Sequence, residues 1–361
     1  MKKILAVLTA FLLVFLSAGA CSLAESAPDV TPEPTPAPTE EPTATPEPTP
    51  TPEPTPSPTP PHPEFPESPA NLYIPEDDAH EFRPLPMDID QGGPRLAQFT
   101  YSADIEVYQD PTIRVEYHRV EGGADWGAVY YYADITIRDP SQIRTAFATR
   151  SKTFNPNTRI EAKGIAQKFN AVLATNGDFF AGFAGNAFVL RQGTLYRDTV
   201  EPHLDILLID EEGDFHVPQA GPDLASADKT QWEGKKIVNS FQFGPALVID
   251  GEPVADELLL DRGHSPDMAQ PDLLNQRMCV IQVDKLHYMT LCCAHYGMTL
   301  PKFRDLAIWL SGGKAQTVYT LDGGNSSQMI FLGRKKNNVH DEEEHRGITD
   351  ILYFASAWYK K

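Results

Sequence analysis

Residues 315–329 read AQTVYTLDGGNSSQM, and the parsing of this stretch decides the fold. Its first part is rich in β-branched and aromatic side chains and reads as a short buried strand. A carboxylate, two glycines, an Asn and two serines then follow without a break, a polar cluster too compact for an ordinary hairpin turn. Residues 169–180, FNAVLATNGDFF, repeat the plan: an apolar run, then Asn176-Gly177-Asp178. Each run is preceded by a helical pattern. Residues 158–169 carry Asn157 and Thr158 at the start and Ile165, Ala166 and Phe169 on one face, and Leu300–Leu310 is closed by Gly312-Gly313.

Working outward, the alternating or apolar runs IRVEYHRV, AVYYYADITI, AFVLRQGTLY, LDILLID, FGPALVID, RMCVIQV, HYMTLCCA and ITDILYFA predict further strands. Turns such as RQGTL and EEGDF separate several of them. The expectation is an α+β fold, a mixed, strand-rich sheet core wrapped by a few helices, forming a single catalytic domain over residues 95–361. Residues 71–94 are Pro- and Asp-rich without periodicity and read as an irregular lead-in.

What precedes differs in kind. The basic start MKK and the apolar run at 4–16, too short to cross a bilayer, read as a secretory signal over residues 1–20. Ala18-Gly19-Ala20 before Cys21 fits either ordinary signal cleavage or a bacterial lipoprotein site, so the protein is expected outside the cytoplasm, secreted or lipid-anchored. Most of the 33 prolines fall before residue 95. The TPEPTP repeats within the linker at 21–70 offer almost nothing apolar to bury. They favour a disordered, extended stalk, reaching on the order of 100 Å at about 3.1 Å per residue, through a cell wall or away from a membrane surface.

A net charge of −20 argues against a nucleic-acid partner. The four cysteines are too few for a disulfide scaffold. A hairpin turning at Lys285-Leu286 would set Cys279 opposite Cys292, as buried free thiols or, less readily, as a bridge. No metalloprotease, nucleophile-elbow or phosphate-loop motif occurs. The run HDEEEH at 340–345 follows RKKNN and reads as a solvated loop rather than a metal site.

After a strand, clusters such as NGD and DGGNSS bring carboxylates to a sheet end while glycines let backbone N–H groups turn toward a ligand. A single cluster of this kind also serves as an ordinary Asx turn, but two in one domain argue for a site.

In order along the chain, ATNGDFF, AFVLRQGTLY, HLDILLIDEEGDF, FQFGPALVIDGEPV, QRMCVIQVD, YGMTLPKFRDLAIWL, VYTLDGGNSSQM and HRGITDILYFA resemble the phosphodiester glycosidase family. The resemblance implies hydrolysis of a sugar 1-phosphodiester at the anomeric carbon, on a cell-surface or exopolysaccharide glycan. It implies Asp178 and Asp322 as the catalytic carboxylates, with Arg277 and Arg346 as a phosphate clamp. Asn176, Gly177, Gly323, Gly324, Asn325, Ser326 and Ser327 would contact sugar or phosphate. His295, near the expected site, is open between assisting proton transfer and a structural role. The sequence points to no certain cofactor, and a divalent cation, Ca²⁺ or Mg²⁺, stays open. Family members usually read LDGGGSS. Here Asn325 replaces the third glycine, and if that position needs a positive φ, Asn is the least costly substitute. The alternative is a non-catalytic glycan-binding surface protein in which Asn325 has disabled the turn.

Overall fold

The computed structural model describes residues 71–73, 79–95, 106–149, 152–179, 185–261, 269–294, 296–337 and 346–361. The signal segment, Cys21, the Pro-rich stalk, His295 and the 340–345 run lie outside the described residues.

Every strand expected from the sequence forms. A nine-stranded sheet runs Asn71–Tyr73, Val107–Asp110, Ile113–Val120, Tyr130–Ile137, His287–Cys293, Met278–Asp284, Thr317–Leu321, Ala246–Ile249, Glu252–Pro253 in spatial order. A five-stranded sheet is ordered Arg334–Lys335, Met329–Phe331, Ala171–Asn176, Asp350–Ala355, Ile143–Phe147. Alternation divides each strand between two faces. Val115, Tyr117, Ala133, Ile135 and Val280 of the large sheet pack with Val172, Leu352 and Phe354 of the small one in an inter-sheet core. Cys279, Ile281, Leu291 and Cys293 point the other way, against Phe303, Leu306 and Leu310 of helix Leu300–Leu310. Ala174, Ile351 and Tyr353 meet Ile165, Ala166 and Phe169 at helix Ala162–Lys168. The layers are therefore helix, sheet, sheet, helix, a strand-rich molecule with few helices.

That second helix is shorter at its start than the sequence pattern suggests, because residues 158–161 are held extended by a bridge between Ile160 and Ile348.

Two sequence expectations are corrected. The hairpin does turn at Lys285–Leu286, with Asp284 opposite His287, but the register slips by one beyond a bulge between Gln282 and Asp284. Cys279 therefore faces Leu291 and Cys292 faces Met278, which puts the two thiols on opposite faces of the sheet. Cys279, Cys292 and Cys293 are free and buried. The lead-in also belongs to the domain. His80–Phe82 pairs with Trp358–Lys360, and the buried Arg144 guanidinium donates to the carbonyls of Pro86, Asp88 and Gln91 at 2.8–3.0 Å.

Strand Lys235–Gln242 was not expected, because Asn239, Ser240 and Gln242 interrupt the apolar part of its buried interior. Ser240 Oγ accepts from Leu190 N (3.0 Å), Asn239 Oδ1 from Gln192 N (2.9 Å) and Gln242 Oε1 from Phe188 N (3.0 Å). These side chains stand in for a neighbouring strand and satisfy the backbone of 188–192. They hold the hairpin Val189–Arg191/Thr194–Arg197, and with it Arg191, against the core.

Candidate active site

Strands from both sheets deliver the carboxylates. Thr317–Leu321 ends beside the start of Met278–Asp284, with Met278 opposite Leu321, so Asp322 and Arg277 emerge at the same sheet end. Ala171–Asn176 pairs with Asp350–Ala355, Asn176 opposite Ile351, so Asp178 and Asp350 meet at the corresponding end of the other sheet. Asn176 ties the two together. Its Nδ2 donates to the Asp322 carbonyl (2.9 Å) and its Oδ1 accepts from Gln328 N (3.1 Å), so it supports the site from behind rather than facing a ligand.

A hollow of about 300 Å³ opens here, lined in part by Phe179, Phe243, Asn275, Arg277, Asp322, Gly323, Gly324, Asn325 and Arg346. A smaller one of about 40 Å³ adjoins it, lined by Arg159, Asp178, Ser326 and Thr349, with Phe179, Asp322 and Arg346 common to both. Asp322 thus stands at the junction. It is half-buried, and that burial raises its carboxyl to about 6, against the lowering effects of the Ser326 hydroxyl, Arg346, the Gly323 N–H and Arg159. Phe179 and Phe243 meet edge to face across the larger hollow, 5.7 Å between ring centres.

Asp178 is placed differently. Its side chain is fully buried. Oδ1 accepts from Phe179 N (2.8 Å) and Gln242 N (3.0 Å), and Oδ2 from Arg191 Nη2 (3.2 Å). The same guanidinium binds Asp350 Oδ2 through Nη2 (2.8 Å) and Nε (3.1 Å), and Asp350 Oδ1 accepts from Asp178 N (2.8 Å). Burial holds both carboxyls above the ordinary range, and Arg191 offsets part of that rise. A Cβ on Gly177 would lie 2.5 Å from Asp350 Oδ1, so only glycine fits beside this cluster. A divalent cation does not fit between Asp178 and Asp350, because Arg191 already bridges them. Among the described residues no group of three or more His, Cys, Asp or Glu is placed to hold a metal.

Arg277 lines the larger hollow, yet it is not free to clamp a phosphate. Its guanidinium donates to the carbonyls of Met298, Ala269, Gln270 and Leu273. It therefore shapes one wall, and burial lowers it to about 10. Arg346 is exposed at the mouth, with Nη1 3.4 Å from Ser326 Oγ. Arg159, which the sequence reading did not single out, is exposed beside the smaller hollow.

The glycine cluster also differs from expectation. Gly324, not Asn325, takes the left-handed conformation (φ 57°), and Asn325 sits inside the short helical turn Gly324–Ser326. Gly323 packs directly on the Gln276 carbonyl, where a Cβ would lie at 2.6 Å. Ser327 lies behind the hollow, its carbonyl accepting from Asn337 Nδ2 (2.7 Å) while its buried Oγ has no hydrogen-bond partner among the described residues. Arg191 and Asp350 lie within AFVLRQGTLY and HRGITDILYFA, and sequence reasoning missed both. A charge inside an otherwise apolar run was the available signal.

A family model described as phosphodiester glycosidase matches residues 169–355, more than half of the chain, and the chain belongs to that family. The fold is similar to that of the zebrafish N-acetylglucosamine-1-phosphodiester alpha-N-acetylglucosaminidase catalytic domain auto-inhibited by its pro-peptide. That match has a TM-score of 0.56 and 15% identity, and it covers 77% of this chain and 88% of that one. A hypothetical protein from Synechocystis (TM-score 0.42, 13% identity, 70% and 64% covered) aligns more loosely. So does an exported protein from Burkholderia pseudomallei (0.43, 12%, 64% and 75%). Compared with curated proteins, the sequence finds no significant match.

Proposed function

We propose that the protein hydrolyses a sugar 1-phosphodiester, for example an N-acetylglucosamine-1-phosphate diester of a cell-surface or exopolysaccharide glycan, outside the cytoplasm. The observation that carries this reading is the position of Asp322, half-buried where a sugar-sized hollow meets a smaller one flanked by Arg159 and Arg346. The sugar occupies the larger hollow against Phe179 and Phe243. The phosphate lies toward the two guanidinium groups, whose planar donors suit its oxygens. The bond from the anomeric carbon to the bridging oxygen breaks, and its electron pair leaves on the phosphate. A water oxygen ends on the anomeric carbon and its surplus proton passes to the departing phosphate or to solvent, giving free sugar and a phosphomonoester.

Phosphate leaves readily, so the reaction depends less on a proton donor than on negative charge beneath the oxocarbenium-like sugar. Asp322 supplies that charge, since a carboxyl raised to about 6 is mostly ionised at neutral pH. Arg346 and Arg159 accept the charge that develops on the departing phosphate. Asp178, with both oxygens engaged, acts as a positioning residue, fixing Phe179 and the 242–243 backbone that line the hollow. The non-catalytic alternative rested on Asn325 breaking the turn, and its conformation removes that premise.

The test is incubation of the purified protein with methyl diesters of several sugar 1-phosphates, with detection of free sugar and methyl phosphate. Release in equal amounts supports the reading. Saturable binding with no release of either product from any of them contradicts it.

A further inference from the structure

The wall of the larger hollow carries polar groups that the proposed chemistry leaves unused. Asp322 and Arg346 serve the reacting bond. Thr320 Oγ1 donates to the Pro245 carbonyl (2.7 Å), and the Arg277 guanidinium is taken by carbonyls. Gln270, Asn275 and Asn325 remain on the lining of the space that the sugar fills. Asn325 sits on the short turn Gly324–Ser326, whereas Asn275 is braced by its neighbours on two sides.

The Asn275 backbone is fixed first. Its N–H donates to the Met298 carbonyl (3.4 Å) and its carbonyl accepts from Met298 N (3.0 Å). Gly297, at φ 62°, packs so closely on it that a Cβ there would lie 2.1 Å from the Asn275 carbonyl oxygen. The side chain is then oriented, because Nδ2 donates to Gln270 Oε1 (3.0 Å). Gln270 itself stands in the left-handed region (φ 45°), uncommon for a residue with a Cβ, and its carbonyl accepts from Arg277 Nη2 (2.7 Å). Arg277 thus anchors Gln270, and Gln270 anchors the Asn275 amide. With Nδ2 held in this way, Oδ1 lies toward the glycine turn, 3.9 Å from where a Cβ on Gly324 would sit and two residues along the chain from Asp322. Asn275 is half-buried, and its Oδ1 accepts from none of the described residues.

We propose that Asn275 selects the configuration of the sugar, its Oδ1 accepting from a ring hydroxyl that only one epimer presents there. An amide fixed through its own nitrogen offers its acceptor at one place, and an epimer whose hydroxyl points elsewhere leaves that oxygen unpaired in a half-buried site. A wall built to hydrogen-bond a hydroxyl rejects a sugar lacking it more strongly than an apolar wall rejects an extra group. This rests on the proposed function for the placement of the sugar, but selection is read in binding without turnover, so the two fail separately.

The test is calorimetric titration of the full-length protein with methyl esters of glycosylmethylphosphonates, in which a methylene replaces the bridging oxygen and prevents hydrolysis. The gluco, manno, allo and galacto compounds are compared, since each of the last three inverts a single ring hydroxyl of the first. The wild type is expected to prefer one configuration over an epimer by about tenfold or more, the worth of one hydrogen bond, and Asn275→Ala to bring that ratio below about threefold. Asn275→Asp keeps an oxygen in the same place and retains the ratio, while its charge weakens every compound alike. A merely structural Asn275 would instead weaken all of them equally in the Ala variant. An unchanged ratio in Asn275→Ala overturns the proposal, as does a wild type that binds every configuration equally or binds none. Selection that is lost in Asn275→Ala, in a protein that releases no product from the corresponding methyl diesters, supports the role of Asn275 and contradicts the proposed hydrolysis.

Discussion

At the end of Ala171–Asn176 the carboxylate of Asp178 turns inward, and its oxygens are taken by two backbone N–H groups and Arg191. At the end of Thr317–Leu321 the carboxylate of Asp322 turns outward to the junction of two hollows, with the mouth arginines beside it. Both segments read as an apolar strand, a short polar cluster and a glycine-eased turn. Their difference comes from what lies across from them. Asp178 faces Asp350 and Arg191, which arrive on neighbouring strands of a closed core. Asp322 lies past the end of an interior strand, beside a wall that Arg277 ties together through the carbonyls of Ala269, Gln270, Leu273 and Met298. Similar local sequence therefore yields one carboxylate locked into the core and one that opens on the two hollows.

The comparison is broken or sharpened by substitution. Asp322→Asn keeps the shape and removes the charge, so turnover of a sugar 1-phosphodiester falls about 10³-fold or more. Its thermal midpoint stays within about 2 °C of wild type, because few contacts are lost. Asp178→Asn sets an amide donor against either Arg191 or the two backbone N–H groups. It costs on the order of 2 kcal/mol, read in calorimetry as a midpoint lower by roughly 5 °C. Arg346→Gln leaves folding intact and raises KM for the diester roughly tenfold, with a smaller change in kcat, if the guanidinium mainly holds the phosphate. Asn325→Gly is the smallest change. Asn325 does not hold a positive φ, so glycine adds only unfolded-state entropy and lowers stability by less than about 1 kcal/mol with activity kept.

Much of this architecture was legible in the sequence because alternation and β-branched content report burial directly. Strands such as Ile113–Val120 and His287–Cys293, and helix Leu300–Leu310, appear where the pattern puts them. Asp322 and its glycines stood out in the sequence as a candidate site because an ordinary turn needs fewer polar groups. Three features were not. Strand Lys235–Gln242 buries Asn239, Ser240 and Gln242 as hydrogen-bonding partners for a neighbouring backbone, so its polarity hides it. The lead-in at 79–95 is held by the buried Arg144 and by the scattered apolar anchors Leu85 and Ile89, which make no periodic pattern. The slip that separates Cys279 from Cys292 depends on one bulged residue, which no pattern of hydrophobicity marks. Arg277 looked like a phosphate ligand because a lone arginine at a strand start carries no sign of the carbonyls that will surround it.

The most direct test of Asp322 as the ionised reactive carboxylate is the pH dependence of kcat/KM for a sugar 1-phosphodiester. Burial places its carboxyl at about 6, above the unfolded value, and the reaction needs the charged form. Activity should therefore fall about tenfold per pH unit below about 6 and stay flat from there to about 8. Unfolding through these groups does not mimic that limb. A carboxyl whose pKa is raised on folding binds more protons in the native state, so Asp178 and Asp322 favour the fold as pH falls from about 7 toward 4. A single acidic limb near 6 that is absent from the residual activity of Asp322→Asn is the predicted result. A rate that instead declines as pH rises through about 6 would make Asp322 a proton donor and contradict the account.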